Sequence, residues 1–266
     1  MMAGVAPKHQ RSDIGKEVRF VFATPILPKD IQADPNILYT NFKNIPLDNQ
    51  TAVLPGFWTF SHFDTSTLST DQIAKDAWTY GQQDVRNEIG LIQNGRSAAM
   101  SFTPIKNSFK KMKLTLLVSP FKTAGQGFSV AHLYMDVVIN FDPQTKTGYG
   151  LRFIRTTKFG NAVDCYLVKY EHNNVTAITQ AITTSCFRSP CQIILEVEGN
   201  QLNAQVKSLS DYPKTEYPTE VVAEVAFHTT IVPLPYPSFG IEYNGGSPTM
   251  IKSLTAVAEG INSPVK

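Results

Sequence analysis

The chain has 266 residues, of which 42% are hydrophobic and 17% charged, so it can bury a sizeable core and is not a disordered polymer. Its 24 basic and 22 acidic residues leave a net charge of +2, without the concentrated basic stripe that nucleic-acid binding needs. Nor does any stretch reach the roughly 18 consecutive apolar residues of a membrane-spanning helix, so neither nucleic acid nor membrane insertion is expected.

Residues 1–17 are polar and lack the apolar segment of a signal peptide, and they read as a linker or disordered lead-in. Attachment to a larger chain and export to the periplasm, the cell surface or the medium are expected on that reading. A first strand-like run, "VRFVFATPIL", starts at Val18. Prolines at 25, 28, 35 and 46 punctuate a meandering stretch, followed by short strand candidates "LYTNFKNIP" and "GFWTFSHFD". In "STDQIAKDAWTYGQQDV", Ser69 or Thr70 is placed as an N-cap and a short helix is expected. "EIGLIQNG" and "SAAMSFTP" are again strand candidates. The one basic cluster, Lys106 with Lys110, Lys111 and Lys113, reads as a solvated turn.

From Lys113 the apolar pattern has period two, with turn residues every eight to twelve positions. "KLTLLVSPF", "LYMDVVINFD", "GYGLRFIRT", "VDCYLVKYE" and "VTAITQAITTS" follow one another, separated by "KTAGQGFS", "PQTKT", "TKFGNA" and "HNN". "CQIILEVE" and "QLNAQVKS" form a hairpin about Gly199-Asn200, and "VVAEVAFHTTIV", "FGIEYNGG" and "TMIKSLTAVAE" complete the series. Many short strands at this spacing mean a sandwich or a barrel, and residues 18–262 are expected to form one domain.

The order of "SPFKTAGQGF", "YMDVVINFDPQTKTGYGLRFIRT", "VDCYLVKYE", "ILEVEGNQLNAQV" and "FGIEYNGGSPTMIKSLTAV" resembles the concanavalin A-like (laminin-G-like) jelly-roll domains. The likeness spans about residues 50 to 260 and lies in strand order and turn style. It implies an all-β fold, a two-sheet antiparallel jelly-roll β-sandwich. That superfamily holds lectins, carbohydrate-binding modules, glycosidases, polysaccharide lyases and adhesion domains, so function has to come from the residues.

Those residues do not form an evident catalytic centre. Asp136 and Asp142 lie six residues apart on one strand, roughly 20 Å, too far for the carboxyl pair of a glycosidase. Glu196 and Glu198 share a face and are the weak catalytic candidates. The glucanase branch of the superfamily uses a Glu-x-Asp-x-x-Glu strand, and this chain departs from it at the middle and last positions. Two solvated glutamates at a hairpin end are the plainer reading, and no catalytic residue is assigned. The histidines are scattered without metal spacing, and no G-x-S-x-G elbow is present.

Cys186 and Cys191 bracket a short inter-strand link, a spacing equally open to a disulfide and to two thiols, whereas Cys165 sits on the apolar side of its strand. Zinc fits none of the cysteine spacings. Relatives of the jelly-roll type hold calcium through loop oxygens, but no loop here is acidic enough to predict a site, so no cofactor is expected.

The polar face is more informative. If Val137, Ile139 and Phe141 face the core, then Tyr134, Asp136 and Asn140 face away, joined by Arg152, Asp164 and Tyr166 from the next two strands. Aromatic rings beside acids, an amide and an arginine match what sugars require: stacking surface with a few placed polar groups. Arginine would add preference for an acidic sugar. The expectation is an oligo- or polysaccharide-binding module, a non-catalytic part of a glycan-processing protein. A glycoside hydrolase or polysaccharide lyase of the same fold is the alternative, and a protein-interaction domain the second.

Overall fold

The computed structural model describes residues 37–43, 52–54, 58–64, 77–83, 88–104, 109–120, 133–155, 162–187, 190–209, 224–246 and 248–261. These form two antiparallel sheets packed face to face, the expected two-sheet β-sandwich. In chain order the strands are β1 (Ile37–Thr40), β2 (Ala52–Leu54), β3 (Trp58–Asp64), β4 (Trp78–Gln83), β5 (Glu88–Gln93), β6 (Ser97–Pro104), β7 (Phe109–Pro120), β8 (Tyr134–Asp142), β9 (Thr147–Arg155), β10 (Val163–Glu171), β11 (Asn174–Ala177), β12 (Ile182–Thr184), β13 (Cys191–Glu198), β14 (Gln201–Ser208), β15 (Glu224–Thr230), β16 (Ser238–Asn244) and β17 (Thr249–Ile261).

The first sheet runs β15-β14-β13-β7-β17-β5-β4, with β1 also on β17. The second runs β11-β10-β9-β8-β16-β6-β3-β2, with β12 also on β10. Their inner faces share one core, in which Leu114, Leu116, Val118, Ile193 and Leu195 of the first sheet meet Val137, Ile139, Leu151, Phe153 and Leu167 of the second. The period-two patterning explains this directly. Along β13 the burial alternates residue by residue, with Ile193, Leu195 and Val197 inside. Its hairpin to β14 turns at Gly199, whose φ of 57° is one that glycine adopts without strain.

Two readings of the sequence change here. Of the segment expected to carry a short helix, residues 69–76 and 84–85 lie outside the described residues, and Trp78–Gln83 is strand β4. Residues 1–36 and the loop "KTAGQGFS" lie outside them as well. Cys186 and Cys191 are free thiols, as is Cys165, and all three are buried. The disulfide is not formed: Cys191 opens β13 as an inward-facing core residue, and burial pushes its thiol well up, with Cys186 nearby adding to the rise.

The second change is the orientation of Phe141. Val137 and Ile139 enter the main core, but the pairing of β8 with β9 slips between Ile139 and Asp142. At Asn140 φ is 50°, and this one-residue irregularity reverses the parity of the strand. Phe141 therefore emerges on the outer face, where it joins Val138, Val168 and Tyr170 in a second, smaller apolar cluster. Its ring meets Tyr170 edge-on, with centroids 5.3 Å apart.

Candidate functional site

Outside the second sheet, cross-strand register assembles the polar group that the sequence suggests. Tyr166 of β10 opposes Arg152 of β9, Arg152 opposes Asp136 of β8, and Asp136 opposes Glu242 of β16. Tyr134 and Asp164 stand one strand-pair further along, both opposite Ile154. Directly opposed side chains share a face and come within contact range.

Arg152 is the centre of this group. Its Nε donates to Asp136 Oδ1 at 2.9 Å and Oδ2 at 3.1 Å, and its Nη2 donates to Oδ2 at 2.7 Å. The guanidinium carbon lies over the Tyr134 ring, 3.9 Å from its centroid. Burial opposes the charge of Arg152, but the hydrogen bonds and charge of Asp136 outweigh it and hold the guanidinium above its ordinary range. Asp136 is wholly buried and also accepts a hydrogen bond from the Tyr170 hydroxyl. Burial pushes its carboxyl up, against the pull of Arg152. Burial likewise raises both phenols at the site, Tyr134 to about 12, so each keeps its proton as a hydrogen-bond donor across the neutral range.

Beside Arg152 and Tyr166 lies a recess of about 170 Å³ over the β10–β11 edge. Val168, Val175, Ala177 and Ala181 supply apolar lining and Thr179 a polar rim. That volume is below the ~300–1,000 Å³ of a site for a drug-sized ligand, and suits a single ring.

The six residues named from sequence divide on inspection. Tyr134, Asp136, Arg152 and Tyr166 are brought together. Asp164 is adjacent on β10 but outside the recess lining, where it accepts a hydrogen bond from Thr183 Oγ1 at 2.7 Å. Asn140 is elsewhere and structural. Its Nδ2 donates to the carbonyls of Leu234 and Tyr236 at 2.6 and 2.7 Å, and its Oδ1 accepts from Leu234 N–H at 2.9 Å. Having no free polar atom aimed at the recess, it is removed from the site. Asp142 opens a turn, accepting from Gln144 N–H and the Thr145 hydroxyl.

Glu196 and Glu198 lie on the other sheet, outside β13, and are engaged by lysines. Glu198 meets Lys111 at 3.0 Å, and Glu196 stands 3.7 Å from both Lys111 and Lys113. One acid escaped the sequence reading: Glu242 is the cross-strand partner of Asp136, and both are buried. Glu242 pairs with Lys146 at 2.9 Å, and the side chains of Asp136 and Glu242 are 0% and 4% exposed, too closed to reach a substrate bond. Among the described residues, no group of three or more His, Cys, Asp or Glu is arranged to hold a metal ion. No helix there is long and apolar enough to cross a membrane.

Glu242 makes the first testable consequence. Burial pushes its carboxyl above the ordinary 4.5, more than Lys146 pulls it down. The folded chain then holds this proton more tightly than the unfolded chain does. Stability from Glu242 is fullest below the ordinary carboxylate range and is lost as pH rises through the raised folded value. Glu242→Gln is expected to flatten that fall. Urea unfolding of both proteins from about pH 4 to about pH 7 checks it, and parallel curves would exclude it.

No family model matches this chain, and no curated protein matches it. Among solved structures, the exoplasmic/lumenal domain of VIP36 in its Ca2+/Man2-bound form is similar with a TM-score of 0.44 and 11% identity, over 86% of this chain and 90% of that one. A legume lectin-like domain from Entamoeba histolytica has a TM-score of 0.39 and 10% identity, over 97% and 100%. The carbohydrate binding module CBM66 from Bacillus subtilis has a TM-score of 0.37 and 12% identity, over 70% and 93%. Likeness at this level leaves function to the chain's own residues.

Proposed function

We propose that this protein is a carbohydrate-binding module, and that the recess beside Arg152 and Tyr166 takes a sugar ring. The observation that carries the reading is the make-up of that recess: a half-buried tyrosine and an arginine at the rim of a small apolar floor. A sugar offers C–H faces to such a floor and hydroxyls to the rim, and one ring matches the volume. The tyrosine hydroxyl serves as a donor at the edge of the recess.

The preference for an acidic sugar is given up. Nε and Nη2 of Arg152 already carry the Asp136 carboxylate, so the pair is close to neutral and its bidentate edge is occupied. A neutral sugar fits better. Hydrolysis is the less supported reading, because Asp136 and Glu242 are closed off and Glu198 is hydrogen-bonded by Lys111, which leaves Glu196 without a second available carboxylate beside it.

Tyr166→Ala is expected to weaken binding of a neutral glycan by up to about tenfold, the worth of one aromatic contact. Tyr166→Phe keeps the ring and should lose less. Titration calorimetry on a glycan panel, with thermal midpoints measured alongside, is the test. Unchanged affinity in a folded Tyr166→Ala protein would remove the recess as the site.

A further inference from the structure

The outer face of the first sheet carries a second arrangement, away from Arg152. Register sets Lys113 of β7, Glu196 of β13, Asn203 of β14 and His228 of β15 in one line, each opposite the next. Adjacent strands are about 4.8 Å apart, so the line presents one polar side chain per strand spacing. The neighbouring row is Ile194, Gln205 and Ala226. Ala226 has only a methyl group there, and the surface dips into a groove of about 410 Å³.

Several of these groups are already held in place. The His228 ring is hydrogen-bonded to the Asn203 amide oxygen, and Gln205 to Glu224. Glu196 differs. Its side chain is only 19% exposed, and its two lysine neighbours stand at 3.7 Å, beyond hydrogen-bond distance. Its carboxylate oxygens therefore remain open to donors from a ligand. Lys111 and Lys113 balance Glu196 and Glu198, so the groove offers donors and acceptors without a net field.

We propose that this groove is a second glycan site, which binds a neutral polysaccharide chain laid across the strands. A linked pyranose advances by about one strand spacing, so successive rings meet Lys113, Glu196, Asn203 and His228 in turn. An extended peptide, at roughly 3.3 Å per residue, falls out of step with that line. Phe227 touches the groove only from its buried position in the core, so hydrogen bonds spread along a chain carry more of the binding than stacking on a single ring. The groove needs a polymer, whereas the Arg152–Tyr166 recess takes one ring. The two sites lie outside different sheets, and one protein can bridge two chains. The proposal extends the reading of this protein as glycan-binding.

The test uses soluble mannan, xylan and hydroxyethylcellulose, with their monosaccharides as competitors. Calorimetry on the wild type is expected to show two classes of site, and mixing with the bound polymer to give turbidity through cross-linking. Ala226→Trp fills the groove and Glu196→Ala removes its free acceptor from an outward-facing position. Each should weaken the polymer-dependent class by at least about tenfold and abolish turbidity, while monosaccharide binding stays unchanged. Unchanged stoichiometry and turbidity in folded Glu196→Ala and Ala226→Trp overturn the groove. So does loss of all binding in Tyr166→Ala, an outcome that leaves the recess standing. Loss of all binding in the groove variants, with Tyr166→Ala unaffected, supports the groove and removes the recess. Failure of every polymer to bind overturns the groove, and failure of the monosaccharides as well overturns both.

Discussion

Asp136→Ala is expected to destabilise the protein by about 3–5 kcal/mol, the usual result of removing one partner from a buried ion pair. The carboxylate is wholly buried and takes three hydrogen-bond contacts from Arg152 and one from Tyr170. Without it, a guanidinium whose side chain is 12% exposed stays behind uncompensated, and the Tyr170 hydroxyl loses its acceptor. The loss should come from the orphaned charge rather than from any intrinsic value of the pair. Asp136→Leu combined with Arg152→Met should therefore recover much of it. Urea unfolding of the single and double variants decides the point. A double variant no better than Asp136→Ala would show that the pair itself, not its disruption, carries the stability.

Asn140→Ala is expected to cost about 3 kcal/mol or more. The side chain satisfies the carbonyls of Leu234 and Tyr236 and the N–H of Leu234, so truncation leaves up to three partners unpaired beside a buried position. Alanine also tolerates the φ of 50° less well than asparagine. Asn140→Gly separates the two effects, because glycine accepts the dihedral but restores none of the bonds. If it matched the wild type in thermal unfolding, the hydrogen bonds would be shown to contribute little. Asn140→Asp should also lose stability, since a carboxylate offers no donor to the two carbonyls.

Much of this protein follows from local pattern. The period-two runs place Ile193, Leu195 and Val197 inside and Glu196 and Glu198 outside, because side chains of a strand alternate between its faces whatever its neighbours are. The same rule puts Asp136, Arg152 and Tyr166 outside the second sheet. Glycine and asparagine mark turns by the backbone angles they tolerate, as at Gly199.

Pairings between distant strands are a different matter. That Glu242 opposes Asp136 depends on β16 joining β8, and that Lys113 lines up with His228 depends on four strands falling into register. No local pattern encodes either, since partner choice reflects the packing of the whole sandwich. Asn140 shows the limit most plainly. Its residue type permits a left-handed backbone, but only the loop carbonyls of Leu234 and Tyr236, brought back from some 90 residues away, make that conformation favourable. The resulting irregularity turns Phe141 out of the main core and into the outer cluster. Tertiary structure likewise decided that Arg152 is no free cation. A charge read from sequence has no partner, and burial next to Asp136 supplied one.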